Sequence, residues 1–369
     1  MTITTLSPRS AAPAAPAPAA AHIGHGEAFT DHMYSLLWSP EAGWHQPELL
    51  RLSDLSLHPA TIGLHYGQAI FEGMKAFRQE DGGIAVFRPE QNARRFQRSA
   101  ARMAMPQLPE ELFLEAIDRF VAVDGAALPD DPALSLYLRP MMIATDVSLM
   151  LRPSDTYRFL LMAFVSGGFF DHDVQSISVY VNRQHGRAMP GGTGDVKVAG
   201  NYAPTFRAHQ EAKDAGCQQV LWLDSAELRW IDEMSGMTLF LVRGTGPDAV
   251  LVTPPLGGTI LPSVTRDALL TLAGEIGCRA VEEPIAIDQW QRDAELGLVT
   301  EAFACGTAAS VTPIGRVKDA AGGGWTVGDG RMGPVTRRLR QQLIDVQHGV
   351  VPAPEGWMRP VASALLATG

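Results

Sequence analysis

The chain has 369 residues, of which 46% are hydrophobic, and its formal net charge at pH 7 is −10. This length predicts roughly two domains with a sizeable core, and the acidic balance argues against a surface for nucleic acid or anionic membranes. Its three cysteines, Cys217, Cys278 and Cys305, are widely spaced and follow no metal-ligand pattern. We therefore expect a reducing, cytoplasmic environment and no metal.

The beginning of the chain, residues 1–26, is rich in alanine and proline. It lacks the basic and leucine-rich segments of a secretion signal, so we predict a disordered tail. No apolar run in the sequence is long enough to span a bilayer, which predicts that a membrane is not a partner.

Residues 27–166 alternate strand-like runs with helices, which predicts a small α+β domain. IAVFR, LSLYLRPMMIA and TYRFLLMAFV predict strands. PEQNARRFQRSAARM predicts a helix that opens with proline, and EELFLEAIDRFVAV an amphipathic helix. On the first helix Arg94 and Arg98 share a face and are expected to be solvated. Arg95 lies about 100° away and can turn inward, where it would need an anionic partner.

Residues 167–181, which include two consecutive glycines, predict a loop between domains, and residues 182–369 a larger domain. SISVYVNR and QQVLWLD predict strands, LRWIDEM and MTLFLVR a hairpin, and NYAPTFRAHQEAKDAG and LPSVTRDALLTLAGEIG helices that end at Gly216 and Gly277. The chain has neither GxGxxG nor GxxxxGK[ST]. A nicotinamide or ATP enzyme is therefore disfavoured.

One lysine has an unusual setting. Lys197 lies in DVKVAGNYAPTF among small, apolar and uncharged residues. Lysine loses its proton readily when desolvated and condenses with carbonyl groups, so Lys197 is a candidate for a Schiff base; a surface lysine beside a glycine turn is the alternative. Further along, Pro262 precedes a helix whose first amides, on Val264 and Thr265, are free to bind a phosphate. An ordinary capped helix fits that pattern too.

Three further features bear on the same chemistry. The turn ACGTAASV offers amides and the Thr307 hydroxyl, or is simply a tight loop. Asp232 and Glu233 end a strand-like run and are either solvated acids or partners for a basic ring nitrogen. Tyr202 supplies a phenol. With an amine and an arginine, these are the groups that a pyridoxal phosphate site requires.

Eight ordered motifs resemble those of branched-chain amino-acid aminotransferases of the fold-type IV pyridoxal phosphate class. They are LHYGQAIFEGMKAFR, VFRPEQNARRFQRSA, SLYLRP, PGGTGDVKVAGNYAP, GCQQVLWLD, DEMSGM, TPPLGGTILPSVTR and GTAASVTPI. The resemblance covers nearly everything from residue 31 to residue 360. It implies a two-domain, mixed α/β fold of the D-amino-acid aminotransferase type, pyridoxal 5'-phosphate as cofactor, and a homodimer whose active site takes residues from the neighbouring subunit.

The resemblance also implies a role for individual residues. Lys197 would form the Schiff base and act as the catalytic base. The residues implied to bind the cofactor are Arg95, Lys197, Tyr202, Glu233, Val264, Thr265 and Thr307. Those implied to bind the substrate are Tyr66, Phe71, Tyr137, Arg139, Phe169, Thr307 and Ala308. Within the second set, Tyr66 and the turn amides would hold the α-carboxylate, and Arg139 the distal carboxylate of glutamate.

The implied activity is ping-pong transamination of L-branched-chain or related hydrophobic amino acids with 2-oxoglutarate. Asp171, His172 and Asp173 in the interdomain loop, with Ser235 and Thr238, depart from the family pattern, which leaves the preferred amino donor open. The alternatives are a transaminase specialised for a non-standard amino acid in a biosynthetic pathway, a D-amino-acid aminotransferase and an aminodeoxychorismate lyase. A catalytically inactive pyridoxal phosphate-binding protein is a different class of alternative, against which the lysine and the acid of the site both argue.

Overall fold

The computed structural model describes residues 26–167 and 176–361. Within these residues sixteen strands form two sheets of eight strands each. The first seven strands are β1 His32–Ser39, β2 Gly43–Arg51, β3 Ala69–Phe71, β4 Met74–Arg78, β5 Ile84–Phe87, β6 Ser135–Ala144 and β7 Tyr157–Ser166. The next eight are β8 Ile177–Asn182, β9 Gln219–Trp222, β10 Thr238–Arg243, β11 Val250–Thr253, β12 Arg279–Glu282, β13 Val299–Gly306, β14 Ser310–Asp319 and β15 Gly324–Thr326. The last strand is β16 Met358–Pro360.

The helices pack against these sheets. They are α1 Ile62–Tyr66, α2 Pro89–Arg102, α3 Glu110–Asp124, α4 Phe206–Asp214, α5 Val264–Glu275, α6 Ile287–Glu295 and α7 Pro334–His348. The described helices include none that is both long and apolar enough to cross a membrane.

The first sheet is antiparallel, in the order β16-β5-β4-β6-β7-β1-β2, with β3 paired to β6. The apolar faces of α2 and α3 pack on it around Phe96, Phe113 and Phe159, none of which is exposed. Because helical side chains repeat every 3.6 residues, this packing turns Arg95 inward and leaves Arg94 and Arg98 in solvent. The prediction for these three arginines is confirmed.

The second sheet mixes parallel and antiparallel pairs, in the order β12-β11-β10-β13-β14-β8-β9, with β15 paired to β14. Its central strands are almost continuously buried, as expected for strands covered on both faces. Helices α5 and α7 share an apolar cluster with Phe77 and Phe87 of the first sheet, so the two sheets are packed together. The site described below lies near this junction.

Two local predictions were wrong. The helix predicted from Asn201 begins at Phe206, after two 3₁₀ turns. Pro204 lies in the second of these turns and lacks the amide that an α-helical hydrogen bond needs. The predicted hairpin pairs only at its tip, between Met234 and Met237. Upstream, the side chain of Asp224 accepts four backbone hydrogen bonds and closes a turn that returns the chain to the end of β9.

The limits of the two domains differ in part from those expected. Most of the predicted tail, and residues 168–175 of the predicted interdomain loop, lie outside the described residues. The end of that predicted loop, 177–181, is part of strand β8. Strand β16, Met358–Pro360, pairs with β5 and so belongs to the first sheet rather than the second.

Candidate active site

Lys197 lies where the two sheets meet. Its carbonyl accepts a hydrogen bond from the Phe71 amide at 3.1 Å, and its own amide donates to the Ser99 hydroxyl at 2.9 Å. The next residue, Val198, forms a β-bridge with Ile70 of β3. Strand β3 and helix α2 of the first sheet therefore hold the backbone that carries the lysine.

The Lys197 side chain is half-buried and enclosed by aromatic groups. Its Nζ donates to the Tyr202 hydroxyl at 2.8 Å and lies 4.7 Å from the centroid of the Phe71 ring. The Phe71 and Tyr202 rings pack together with centroids 4.9 Å apart. This enclosure excludes the alternative of a lysine free on the surface. The 3₁₀ turn Ala199–Asn201, which follows Lys197, brings Tyr202 back to the amine.

A buried carboxylate lies on another side of the site. Glu233 is almost completely buried and forms an ion pair with the buried side chain of Arg187. Burial raises the pKa of Glu233, and the charge of Arg187 opposes that rise. The contacts from Arg187 and from the Leu261 amide are both to Oε2. Of the two acids considered from the sequence, Asp232 is instead hydrogen-bonded to the Thr259 hydroxyl at 3.0 Å.

Arg95 has the anionic partner that its burial requires. Its Nε and Nη2 each donate to Glu72 at 2.7 Å, and its Nη1 donates to the Pro262 carbonyl at 2.9 Å. Pro262 comes just before Ser263, the N-cap of α5, whose hydroxyl accepts the Arg266 amide at 3.2 Å. The guanidinium thus lies at the beginning of α5, the end of a helix that favours anions.

A cavity of about 270 Å³ adjoins this helix end. Val264 and Thr265 line it together with the turn residues Thr307 and Ala308. The two segments considered from the sequence as phosphate sites therefore share one cavity. Lys75 also lines it; burial lowers the pKa of this lysine to about 8, and its Nζ is 3.4 Å from the Ala308 carbonyl oxygen.

The first sheet supplies a wall of aromatic and basic side chains. The guanidinium carbon of Arg139 lies 5.1 Å from the Phe71 ring centroid and 5.3 Å from that of Tyr137. Arg139 Nη2 is 3.4 Å from the Tyr137 hydroxyl, while its Nε has no hydrogen-bond partner within the described residues. Gly73 lets the Tyr137 hydroxyl approach the backbone, because a Cβ at this position would overlap it.

Of the residues named in the sequence, Tyr66 is not part of this cluster, and Phe169 cannot be assigned to it or to any other place. Tyr66 is partly exposed, and its hydroxyl donates to the Leu149 carbonyl at 2.6 Å on the surface of the first sheet. Phe169 lies outside the described residues, as do Asp171, His172 and Asp173 of the same loop.

Three residues of the site were missed in the sequence. Glu72 lies in the motif FEGMKAFR, and the need of Arg95 for an anion was the signal that could have found it. Lys75, in the same motif, was a possible second amine. Arg187 has no periodic pattern around it that predicts burial, so sequence reasoning had no means to select it.

The side chains of this site combine groups of complementary chemistry. A hydrogen-bonded amine, a phenol and a buried carboxylate surround one region, and an arginine with helix-start amides lies beside it. Pyridoxal phosphate has an aldehyde, a ring hydroxyl, a basic ring nitrogen and a phosphate, and each finds its complement in this set. The residues present therefore fit this cofactor.

Comparisons with known proteins agree with this geometry. Residues 69–317 match the family described as amino-transferase class IV. A Mycolicibacterium smegmatis protein named branched-chain-amino-acid aminotransferase is 47% identical over 92% of each chain. Among solved structures, the Escherichia coli branched-chain amino acid aminotransferase superposes with a TM-score of 0.75 at 28% identity, over 90% of this chain and 100% of that one. A T.th. enzyme of the same name, solved with pyridoxamine 5'-phosphate, gives 0.72 at 26% identity over 89% and 98%. The chain belongs to the class IV aminotransferases.

Proposed function

We propose that this pyridoxal phosphate-dependent aminotransferase transfers the amino group of L-branched-chain or related hydrophobic amino acids to 2-oxoglutarate in a ping-pong cycle. The names of its relatives support the substrate class. The observation that carries the proposal is the Lys197 amine, hydrogen-bonded to Tyr202 at 2.8 Å in a site that also contains Glu233 and Arg95. A base, a ring-nitrogen partner and a phosphate ligand are the protein groups that this chemistry needs.

Each of these residues has a distinct task in the proposal. When bound, pyridoxal phosphate supplies an aldehyde for the amine and a ring that takes up electrons. Lys197 Nζ would hold the cofactor in the resting enzyme and, once free, would act as the base toward the proton on the substrate Cα. Tyr202 orients this amine and the ring hydroxyl. Glu233 would keep the ring nitrogen protonated.

The phosphate is assigned to the beginning of α5. Arg95 supplies the charge, and the first amides of the helix, on Val264 and Thr265, supply donors that have no partner within the helix. The Thr307 hydroxyl, which shares the cavity with these amides, completes the set. Ala308 of the same turn offers its amide to the substrate α-carboxylate.

The substrate side chain is assigned to the wall of Phe71, Tyr137 and Arg139. The two rings suit an aliphatic side chain. Arg139 is partly buried, and its Nε lacks a hydrogen-bond partner among the residues described, so a carboxylate from glutamate would satisfy a cation for which the described residues supply no ion-pair partner. One pocket can thereby accept both substrates of the cycle.

We also propose that the protein is a homodimer. An exposed apolar patch surrounds Tyr66, and its members are Leu64, Val147, Leu149, Met150 and Leu151, the last with 88% of its surface accessible. Contiguous apolar surface of this kind marks an interaction site. In a dimer built on it, Tyr66 would serve the neighbouring subunit, which reconciles its implied role in carboxylate binding with its position outside the cluster of its own chain.

The proposed compartment is the cytoplasm. Cys217, Cys278 and Cys305 are all buried free thiols. Burial raises the pKa of each, and that of Cys305 reaches about 12. Three unpaired thiols agree with a reducing environment.

A substrate panel tests the proposed activity. L-leucine, L-isoleucine, L-valine, L-phenylalanine and D-alanine are each offered with 2-oxoglutarate, and kcat/KM is compared. The expected result is turnover of the L-branched-chain donors and none of D-alanine, with Lys197→Ala as the inactive control. Amino transfer from D-alanine but not from L-leucine would overturn the proposal. For the dimer, light scattering of Leu151→Glu should show monomers with reduced activity, and a fully active monomer would contradict the shared site.

A further inference from the structure

Glu72 is the most deeply buried acid of the site, with no accessible surface. Its Oε1 accepts from Arg95 Nε and its Oε2 from Arg95 Nη2, both at 2.7 Å, which is the two-bond geometry of an arginine–carboxylate pair. Oε2 also accepts from Asn92 Nδ2 at 2.7 Å and from the Gly73 amide at 3.2 Å. The carboxylate is therefore fixed from the end of β3 and from α2.

The hydrogen bonds of Arg95 can be followed N–H by N–H. A guanidinium has five N–H groups in a fixed plane. Two are directed to Glu72 and a third, on Nη1, to the Pro262 carbonyl. Two N–H groups, one on each terminal nitrogen, have no hydrogen-bond partner within the described residues. Because the plane is rigid, Glu72 and Pro262 together determine the direction of the remaining two.

We propose that Glu72 is a positioning residue for the cofactor phosphate and acts by holding the guanidinium of Arg95 so that its two remaining N–H groups face the beginning of α5. This inference rests on the proposed function, in which Arg95 and the α5 amides bind the phosphate. A carboxylate next to a phosphate site weakens phosphate binding by charge alone. Glu72 must therefore contribute through orientation, and its removal weakens phosphate binding although it also removes a negative charge.

The test compares two ligands that differ only in the phosphate. Full-length protein freed of cofactor is titrated with pyridoxal 5'-phosphate and with pyridoxal, and binding is followed by the absorbance of the lysine adduct. In Glu72→Gln one carboxylate oxygen is replaced by an NH₂ group, which cannot accept the hydrogen bond from an Arg95 N–H. We expect affinity for pyridoxal 5'-phosphate to fall roughly tenfold or more, the effect of a hydrogen bond to a charged group, and affinity for pyridoxal to stay within about twofold of wild type.

Asp124→Asn is the matched control. Asp124 is a buried acid of the same small domain, paired with His32 instead of with a site residue. Its variant should lose stability and keep the wild-type preference for the phosphorylated ligand. If Glu72→Gln does not fold, Asn92→Ala removes one donor to Glu72 without changing the charge. It should weaken pyridoxal 5'-phosphate binding by about threefold and leave pyridoxal binding unchanged.

Three results would overturn the inference. They are unchanged or tighter binding of pyridoxal 5'-phosphate by the Glu72 or Asn92 variant, an equal loss for both ligands, and a wild-type protein with no preference for the phosphate. The first two leave the proposed function intact, because wild type still binds the phosphorylated ligand at Lys197. The third also removes the phosphate site on which the proposed function depends, so the two failures are distinguishable.

Discussion

Replacing Lys75 with methionine should stabilise the cofactor-free protein at pH 7, and the gain should fall progressively between about pH 8 and pH 10.5. Lys75 is 8% exposed, and no acidic side chain within the described residues forms an ion pair with it. Its hydrogen bond to the Ala308 carbonyl is long, 3.4 Å. A buried ammonium with so little compensation is costly, and methionine fills a similar volume without a charge.

The size and sign of the effect follow from the pKa of Lys75. Burial lowers this pKa from 10.5 in the unfolded chain to about 8 in the folded protein. Between these values the unfolded chain binds more protons, so the free energy of unfolding of the wild type rises with pH. Below pH 8 the full cost of the buried charge is present. The difference between the two pKa values corresponds to about 3 kcal/mol, and this is the gain expected for Lys75→Met at pH 7.

Urea unfolding followed by circular dichroism, at intervals from pH 7 to pH 10.5, measures this directly. Lys213→Met is the control because Lys213 is exposed, and its effect on stability should not vary across the range. A Lys75→Met protein that is no more stable than wild type at pH 7 would refute the reasoning. An advantage that stays constant with pH would refute it equally, since it would come from packing and not from charge.

Other substitutions test separate parts of the account. Gly73→Ala should lower kcat/KM by about tenfold or more, because the added Cβ overlaps the Tyr137 hydroxyl and displaces it; unchanged steady-state kinetics would contradict the role of that wall. Glu301→Gln should lower the free energy of unfolding by about 1–3 kcal/mol at unchanged KM, because this buried acid accepts two amides in the first turn of α7; urea denaturation measures it. Arg187→Met should move the acidic limb of the kcat/KM pH profile to higher pH, because Arg187 is the charge that opposes the rise in the pKa of Glu233. Arg187→Lys keeps the positive charge and should return the acidic limb part of the way to its wild-type position. A pH profile unaltered in both variants would exclude the Arg187–Glu233 pair from ring-nitrogen protonation.

Much of the site could be predicted from the sequence because it depends on local order. The helical repeat of α2 predicts which arginine turns inward, and the spacing of five residues between Lys197 and Tyr202 spans one short 3₁₀ turn that returns the phenol to the amine. The Pro262–Val264 segment marks a helix start by its composition alone. These features need only a few consecutive residues to be specified.

The remaining features depend on contacts between distant parts of the chain. Glu72 meets Arg95 across the gap between β3 and α2, and Arg187 meets Glu233 between two loops of the second half. No periodic pattern in the sequence links the two residues of either ion pair. Tyr66 illustrates another limit, since a motif can imply a substrate contact that a single chain does not make. Pro204, which lacks an amide, lies in a 3₁₀ turn before α4, and the apolar pattern does not reveal this later helix start.

The most direct test of the central claim is to locate the lysine that carries the cofactor. Protein loaded with pyridoxal 5'-phosphate is reduced with borohydride and digested, and the peptides are analysed by mass spectrometry. We expect the pyridoxyl phosphate mass on Lys197 and its loss in Lys197→Ala, with no label on Lys75. Label on Lys75 or another lysine in the wild type, with Lys197 unmodified, would contradict it.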